Sequence, residues 1–349
     1  MQGLSDIVRV AVVGAGVIAR SHILAVNHLP DCKIVALCDK DERRAATVAR
    51  EWGIDRHYSE FSEMLDAVKP SVVAILTPPQ SHAELAVESL RRDVNVLVEK
   101  PFTSSLIDAE KVLLASRDSR AKLTVVYHWL FSRVVRRALH LKERGVLGEI
   151  LGVDLAMLHR KDDPMASDPS HWCHKLPGGR FGEMLPHPIY LLQSFLGEDL
   201  HLEGVPLADK RGTSAWLPHD ELRLSLRGPK GHGYVYVSFN APRPTILVNV
   251  YGSEKILRID ILNQTLLDFG PSKLSKKDLV LDSLGMSSRL ARSTLANVLR
   301  FAGREKGAYS IENIYRDFVG CVRHNTQPRV TPQMAYNTVR IVEQICNYL

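Results

Sequence analysis

The six residues Val8 to Val13 form a short apolar run that passes directly into Gly14-Ala15-Gly16-Val17-Ile18-Ala19, a GxGxxA turn opening a helical pattern. A strand that ends this way commits the chain to a strand-turn-helix unit. Gly14 permits a tight turn, and Gly16 lets the backbone approach a pyrophosphate, whose charge is favoured at a helix N-terminus. Glycines also end strands for structural reasons alone, so the surrounding pattern has to carry the reading. A second strand, Lys33 to Cys38, ends in Asp39, about where an acid that binds an adenosine ribose is expected. An acid there accepts ribose hydrogen bonds and repels a 2′-phosphate, which favours NAD over NADP. Lys40, Arg43 and Arg44 follow; they read either as the exposed start of the next helix or as partners for that phosphate.

The alternation continues with helix 42–51, a strand near His57, helix 61–68 and strand 71–76. Strands alternating with helices at this spacing predict a doubly wound parallel sheet, here an α/β Rossmann domain over residues 1–126. Thr77-Pro78-Pro79 breaks the chain at a strand end, and two prolines there stiffen a loop that suits a wall against a cofactor. His82 then begins helix 83–91, where it reads equally as a capping residue or as part of that wall. Val94 to Val98 is a further buried strand, so Glu99, Lys100 and Pro101 emerge where ligands bind to such sheets. Ser105 caps helix 106–117, and the strand 123–127 closes the unit.

Residues 127–349 read as an α+β domain with a large, mostly antiparallel sheet. Helix 134–144 is followed by strands at 150–158, 221–226, 233–239, 246–251 and 255–261, and a terminal helix spans 333–348. Its chemistry concentrates between His171 and Tyr190. Glu183 and His187 are four apart, so on one helix they would share a face, and a carboxylate orienting an imidazole makes a credible acid or base. Trp172 could stack on the apolar face of a sugar or lie in the core. His171, Cys173, His174, Glu183 and His187 are all donor types for zinc, but their spacing matches no metal-site pattern, and no metal is expected.

With 349 residues, 45% hydrophobic and 24% charged, the chain has the make-up of a soluble two-domain protein. Five cysteines form no CxxC and suit free thiols. Met1 to Asp6 has neither a basic n-region nor an apolar h-region, so a cytoplasmic location is expected. The net charge of +6 is largely local, since residues 271–306 hold eight basic and three acidic side chains without a nucleic-acid-binding motif. Within that segment a basic amphipathic helix is predicted over 284–301, with Leu290, Leu295, Val298, Leu299 and Phe301 apolar. Packing on the sheet or on another subunit explains it; peripheral contact of 284–304 with an anionic membrane is the alternative.

The GAGVIA turn, Cys38-Asp39, Thr77-Pro78-Pro79 with His82, Glu99-Lys100-Pro101, and Glu183 with His187 together resemble the Gfo/Idh/MocA family of glucose-fructose oxidoreductases and inositol dehydrogenases. The resemblance implies a nicotinamide-dependent oxidoreductase acting on a hydroxyl carbon of a sugar, sugar derivative or cyclitol. It makes Lys100 the catalytic lysine, often with a cis bond to the following proline, and gives Glu183 and His187 the places of the family's aspartate and catalytic histidine. Cofactor contacts would come from Gly14, Gly16, Val17, Ile18, Asp39, Lys40, Arg44, Thr77, Pro78, Pro79, His82, Glu99 and Lys100. Substrate contacts would come from His128, Trp172 and Tyr190, and a homo-oligomer is implied. The sequence departs from the family at Leu185, Pro186 and Tyr190, and reads Tyr127-His128-Trp129-Leu130 where Phe-Asn-x-Arg is frequent. Substrate contacts have therefore changed. Two other readings use the same residues: a redox-neutral cycle through a transient ketone that assists elimination or glycoside cleavage, and a nucleotide-sensing regulator without catalysis.

Overall fold

Strands that are apolar on both faces have to be covered on both faces. The computed structural model describes residues 7–163, 165, 168–212, 217–272, 275–302 and 309–349. They divide into two units: residues up to His128 with 309–339, and residues 129–302 with 340–349.

In the first unit, β1 (Val8–Val13), β2 (Cys32–Cys38), β3 (His57–Tyr58), β4 (Val72–Ile75), β5 (Asn95–Val98) and β6 (Leu123–Val125) form a parallel sheet in the order β3-β2-β1-β4-β5-β6. The order reverses direction between β1 and β4, which is where an open α/β sheet binds its ligand. The helices are α1 (Val17–Asn27), α2 (Glu42–Trp52), α3 (Phe61–Val68), α4 (His82–Arg91) and α5 (Leu106–Asp118). Asp41 caps α2 by accepting from the Arg44 N–H, Gly53 ends it in the left-handed region, and Ser105 caps α5.

One row of the sheet positions everything that follows. Cys38, Val13, Ile75, Val98 and Val125 are successive partners across β2, β1, β4, β5 and β6. Asp39, Gly14, Leu76, Glu99 and Val126 therefore leave the sheet at one level, on strands about 4.8 Å apart.

The second unit holds α6 (Arg133–Glu143), α7 (Arg180–Met184), α8 (Pro186–Leu196) and α9 (Lys276–Ala302) beside a seven-stranded sheet. Its strands are β7 (Ile150–Arg160), β8 (His201–Asp209), β9 (Glu221–Gly228), β10 (Gly231–Ala241), β11 (Thr245–Gly252), β12 (Ile256–Asp260) and β13 (Thr265–Phe269), in the order β13-β12-β11-β7-β10-β9-β8. All pairs are antiparallel except β7 with β10. Both edge strands escape the sequence reading. β8 contains Gly204 and Pro206, and its register shifts between Glu203 and Leu207, an irregularity that an edge tolerates and a central strand does not. β13 is only five residues long.

The units are not consecutive stretches, as a division into 1–126 and 127–349 would have them. Helix α10 (Tyr309–His324) packs on α1, and Thr124 of β6 donates to the Val330 carbonyl at 3.1 Å, so the chain returns to the first unit. Helix α11 (Pro332–Cys346) begins there and ends with the second unit. Lys273, Arg304 and Lys306, with the side chains of Arg300 and Phe301, lie outside the described residues.

Candidate active site

The two glycines of the turn differ in what holds them. Gly14 has φ +98°, and a Cβ there would meet the Leu76 carbonyl carbon and oxygen at 2.9 Å, so β1 and β4 could not lie this close with any side chain. Gly16 faces open space: a Cβ added there would meet nothing within 4 Å, so the protein's own packing does not demand glycine. It N-caps α1 without a side-chain partner, and no acidic residue sits in the first turn. Val17 beside it is 92% exposed, and Ile18 is exposed as well. A bare positive helix end, an unfilled approach and two uncovered apolar residues fit an anionic, partly apolar ligand such as a dinucleotide.

Asp39 is buried behind this turn, its Oδ2 accepting the Ala15 N–H at 2.8 Å and its Oδ1 the Asp41 N–H at 2.9 Å. It braces the loop and leaves lone pairs for ribose hydroxyls. Lys40 and Arg44 are exposed, and Arg44 lies 3.4 Å from Asp41, its own helix cap. Their geometry is that of a helix start.

Thr77, Pro78 and Pro79 lead through a short 3₁₀ turn into α4. His82 is not part of a cofactor wall: it is 1% exposed, with Nε2 2.7 Å from the Thr77 carbonyl and Nδ1 3.0 Å from that of Pro101. Burial holds its pKa below the ordinary imidazole value, against the pull of these carbonyls. The correction has a simple cause, since the loops after β4 and β5 are adjacent and an imidazole spans them.

The Lys100–Pro101 bond is cis. Beneath Lys100 runs a buried polar chain that sequence reasoning missed. Glu99 Oε2 accepts the Lys100 backbone N–H at 2.8 Å, and Glu99 Oε1 lies 3.0 Å from His22 Nε2. His22 Nδ1 is 3.0 Å from the Tyr315 hydroxyl. The Glu99 carboxylate accepts from Nε2–H, and the tyrosine hydroxyl is able to serve Nδ1 as donor or acceptor. Burial pushes the Glu99 pKa up, but the His22 hydrogen bond and the charges of His22, Lys100 and His128 outweigh it and hold the group below the usual carboxylate range. His128, half-buried, belongs to this electrostatic group.

A stability prediction follows. Because folding lowers the Glu99 pKa, its contribution is present above the ordinary value of about 4.5 and is lost as pH falls through the folded value. Urea midpoints should drop as pH falls from about 5 to about 3, and Glu99→Gln should flatten that drop; an unchanged slope would rule out Glu99 as its source.

In the second unit α7 and α8 meet at Leu185, which keeps helical dihedrals, and Glu183 and His187 lie on either side of it. Glu183 is ion-paired with Arg180, whose other nitrogen holds Asp163 at 2.8 Å, all three carried by a mostly buried cluster. His187, 4% exposed, has Nδ1 2.8 Å from the Tyr190 hydroxyl, and its ring stacks on Trp129 at 4.2 Å. Tyr190 is fully buried and also accepts the Trp129 N–H at 3.4 Å. That burial rules it out as a substrate contact and makes it a support for His187. Trp172, 39% exposed, keeps a face for a ligand. The five cysteines are free, and burial pushes the Cys38 thiol up to about 12 and the Cys173 thiol to about 11, so neither is a thiolate at neutral pH. Among the described residues no three His, Cys, Asp or Glu side chains converge as a metal site.

Residues 8–127 match the Gfo/Idh/MocA model, described as an oxidoreductase family with an NAD-binding Rossmann fold. The chain is similar to inositol 2-dehydrogenase of Rhizobium meliloti, 30% identical over 198 residues, which is 55% of this chain and 56% of that one. It is also similar to D-glucoside 3-dehydrogenase of Escherichia coli K12, 29% identical over 157 residues, 45% of each. The matched stretch spans 30% to 56% of the curated relatives' length. The fold is that of a levoglucosan dehydrogenase solved with NADH and levoglucosan, at TM-score 0.77 and 18% identity over 98% of this chain and 96% of that one.

Proposed function

We propose that the chain, whose residues 8–127 match the Gfo/Idh/MocA model, is an NAD-dependent oxidoreductase of that family acting on a hydroxyl carbon of a sugar, sugar derivative or cyclitol. The observation that carries this reading is the register row. It delivers the open Gly16 turn, the ribose acid and the Lys100 loop to one edge of one sheet. Relatives named for inositol and glucoside oxidation support the substrate class.

NAD, when bound, supplies the hydride acceptor. The α1 N-terminus and Gly16 hold its pyrophosphate, with Val17 and Ile18 against it, and Asp39 its ribose. Lys100 orients the substrate hydroxyl and stabilises negative charge developing on its oxygen. His187 takes the hydroxyl proton, with Tyr190 and Trp129 fixing its ring. Trp172 offers an aromatic face to the substrate. The relatives' names favour net oxidation over a redox-neutral cycle. A homo-oligomer in the cytoplasm completes the proposal; among the described residues no helix is long and apolar enough to cross a membrane.

Calorimetric titration tests the cofactor half. NAD should bind more tightly than NADP, and Asp39→Ala should cost NAD about tenfold or more while narrowing that preference, the scale of a lost charge-assisted hydrogen bond. Equal binding of both nucleotides by the wild type would remove the assigned role of Asp39.

A further inference from the structure

Helix α9 is held on one side only. Its buried Asn297 donates to the carbonyls of Asn263 at 2.8 Å and Gln264 at 3.1 Å, and Arg289 turns toward Asp268 at 3.8 Å. On the opposite side Val280, Leu281, Leu284, Leu295, Val298 and Leu299 are each more than half exposed. Positions 281, 284, 288, 291, 295 and 298 alternate spacings of three and four, the seam of a coiled coil. Followed inward from either end, the seam is the same: large at 281 and 298, large at 284 and 295, small at Ser288 and Ala291 in the middle. Val280 and Leu299 flank it with the same symmetry.

We propose that this stripe is a self-association surface, on which α9 of a second copy packs antiparallel about a two-fold axis passing between Ser288 and Ala291. A two-fold axis demands a self-complementary patch. Antiparallel pairing meets that demand residue by residue, setting Leu284 against Leu295 of the other copy, Leu281 against Val298 and Val280 against Leu299, while Ser288 and Ala291 let the helices approach at the crossing. The exposed apolar area, on the order of 600 Å² per copy, approaches the per-partner area of a standard interface. A lipid surface fits less well, because an interfacial helix needs cations along its apolar stripe. Here Lys276 and Lys277 crowd one end, Arg289 is turned to Asp268, Arg292 is a single exposed cation midway with its Nε on the Ser288 carbonyl, and Asp278 and Asp282 lie on the same stretch. The inference stands apart from the reaction proposed above.

Light scattering coupled to size exclusion on the full chain tests it. The wild type should run as an oligomer, and Leu284→Lys combined with Leu295→Lys should halve its mass with circular dichroism unchanged, since both side chains are exposed in the single chain. A second arm fixes the orientation. Leu284→Lys and Leu295→Glu proteins, each weakened alone, should regain the wild-type mass when mixed, because antiparallel pairing sets the new lysine against the new glutamate. A monomeric wild type, an oligomer that survives the double substitution, or a mixture that fails to recover would overturn the proposal. So would a monomer that binds phosphatidylserine vesicles through this helix.

Discussion

Replacing Lys100 with alanine should lower turnover about a hundred- to ten-thousand-fold, the usual worth of a positioned acid-base group, while NAD binding changes little. The separation is expected because Gly14, Gly16 and Asp39 hold the nucleotide through the turn after β1 and the end of β2, whereas Lys100 follows β5. Its backbone is fixed from below by Glu99, itself tied to His22 and Tyr315. His187→Asn should cost turnover on the same scale. Steady-state rates with calorimetric NAD affinities check both variants, and near-normal turnover in either removes the assigned role.

Arg180→Ala should destabilise the protein by about 3–5 kcal/mol, since removing one partner of a buried ion pair strands the other. Two carboxylates are at stake. Glu183 is almost wholly buried and Asp163 nearly so, and the guanidinium joins them. Burial raises the Asp163 pKa, but Arg180 outweighs it and holds it below the carboxylate range. Denaturant unfolding at neutral pH measures the loss. A cost below about 1 kcal/mol, the value of an exposed pair, would show that the cluster is solvated and that Glu183 is available for other work.

That second prediction marks where the sequence stopped being legible. The first domain could be read because its signals are local: apolar runs, helix caps and a glycine turn each lie within a dozen residues. Helix α3 was placed at its observed ends, and the strands leading to Gly14, Asp39 and Lys100 were each found to within a residue or two. The support beneath Lys100 was invisible, because His22, Glu99 and Tyr315 lie on three separated segments, and no pattern joins a histidine in α1 to a carboxylate 77 residues away. Arg180 stands three residues before Glu183, a spacing at which an ion pair is expected, and the pair is present. Tyr190, a departure from the family pattern, is hydrogen-bonded to His187. Only burial shows that it supports the histidine rather than meeting substrate. The return of 309–339 to the first unit depends on packing against α1, which amphipathic spacing cannot report.

The central claim is that the residues gathered along one edge of the parallel sheet carry out hydride chemistry on a polyol. Incubating the purified chain with NAD and a panel of cyclitols and glycosides, and measuring NADH by absorbance alongside the ketone formed, tests it most directly. The account predicts NADH and ketone in equal amounts for at least one member of the panel, with both lost together in Lys100→Ala. Tight NAD binding with no NADH from any member would contradict it.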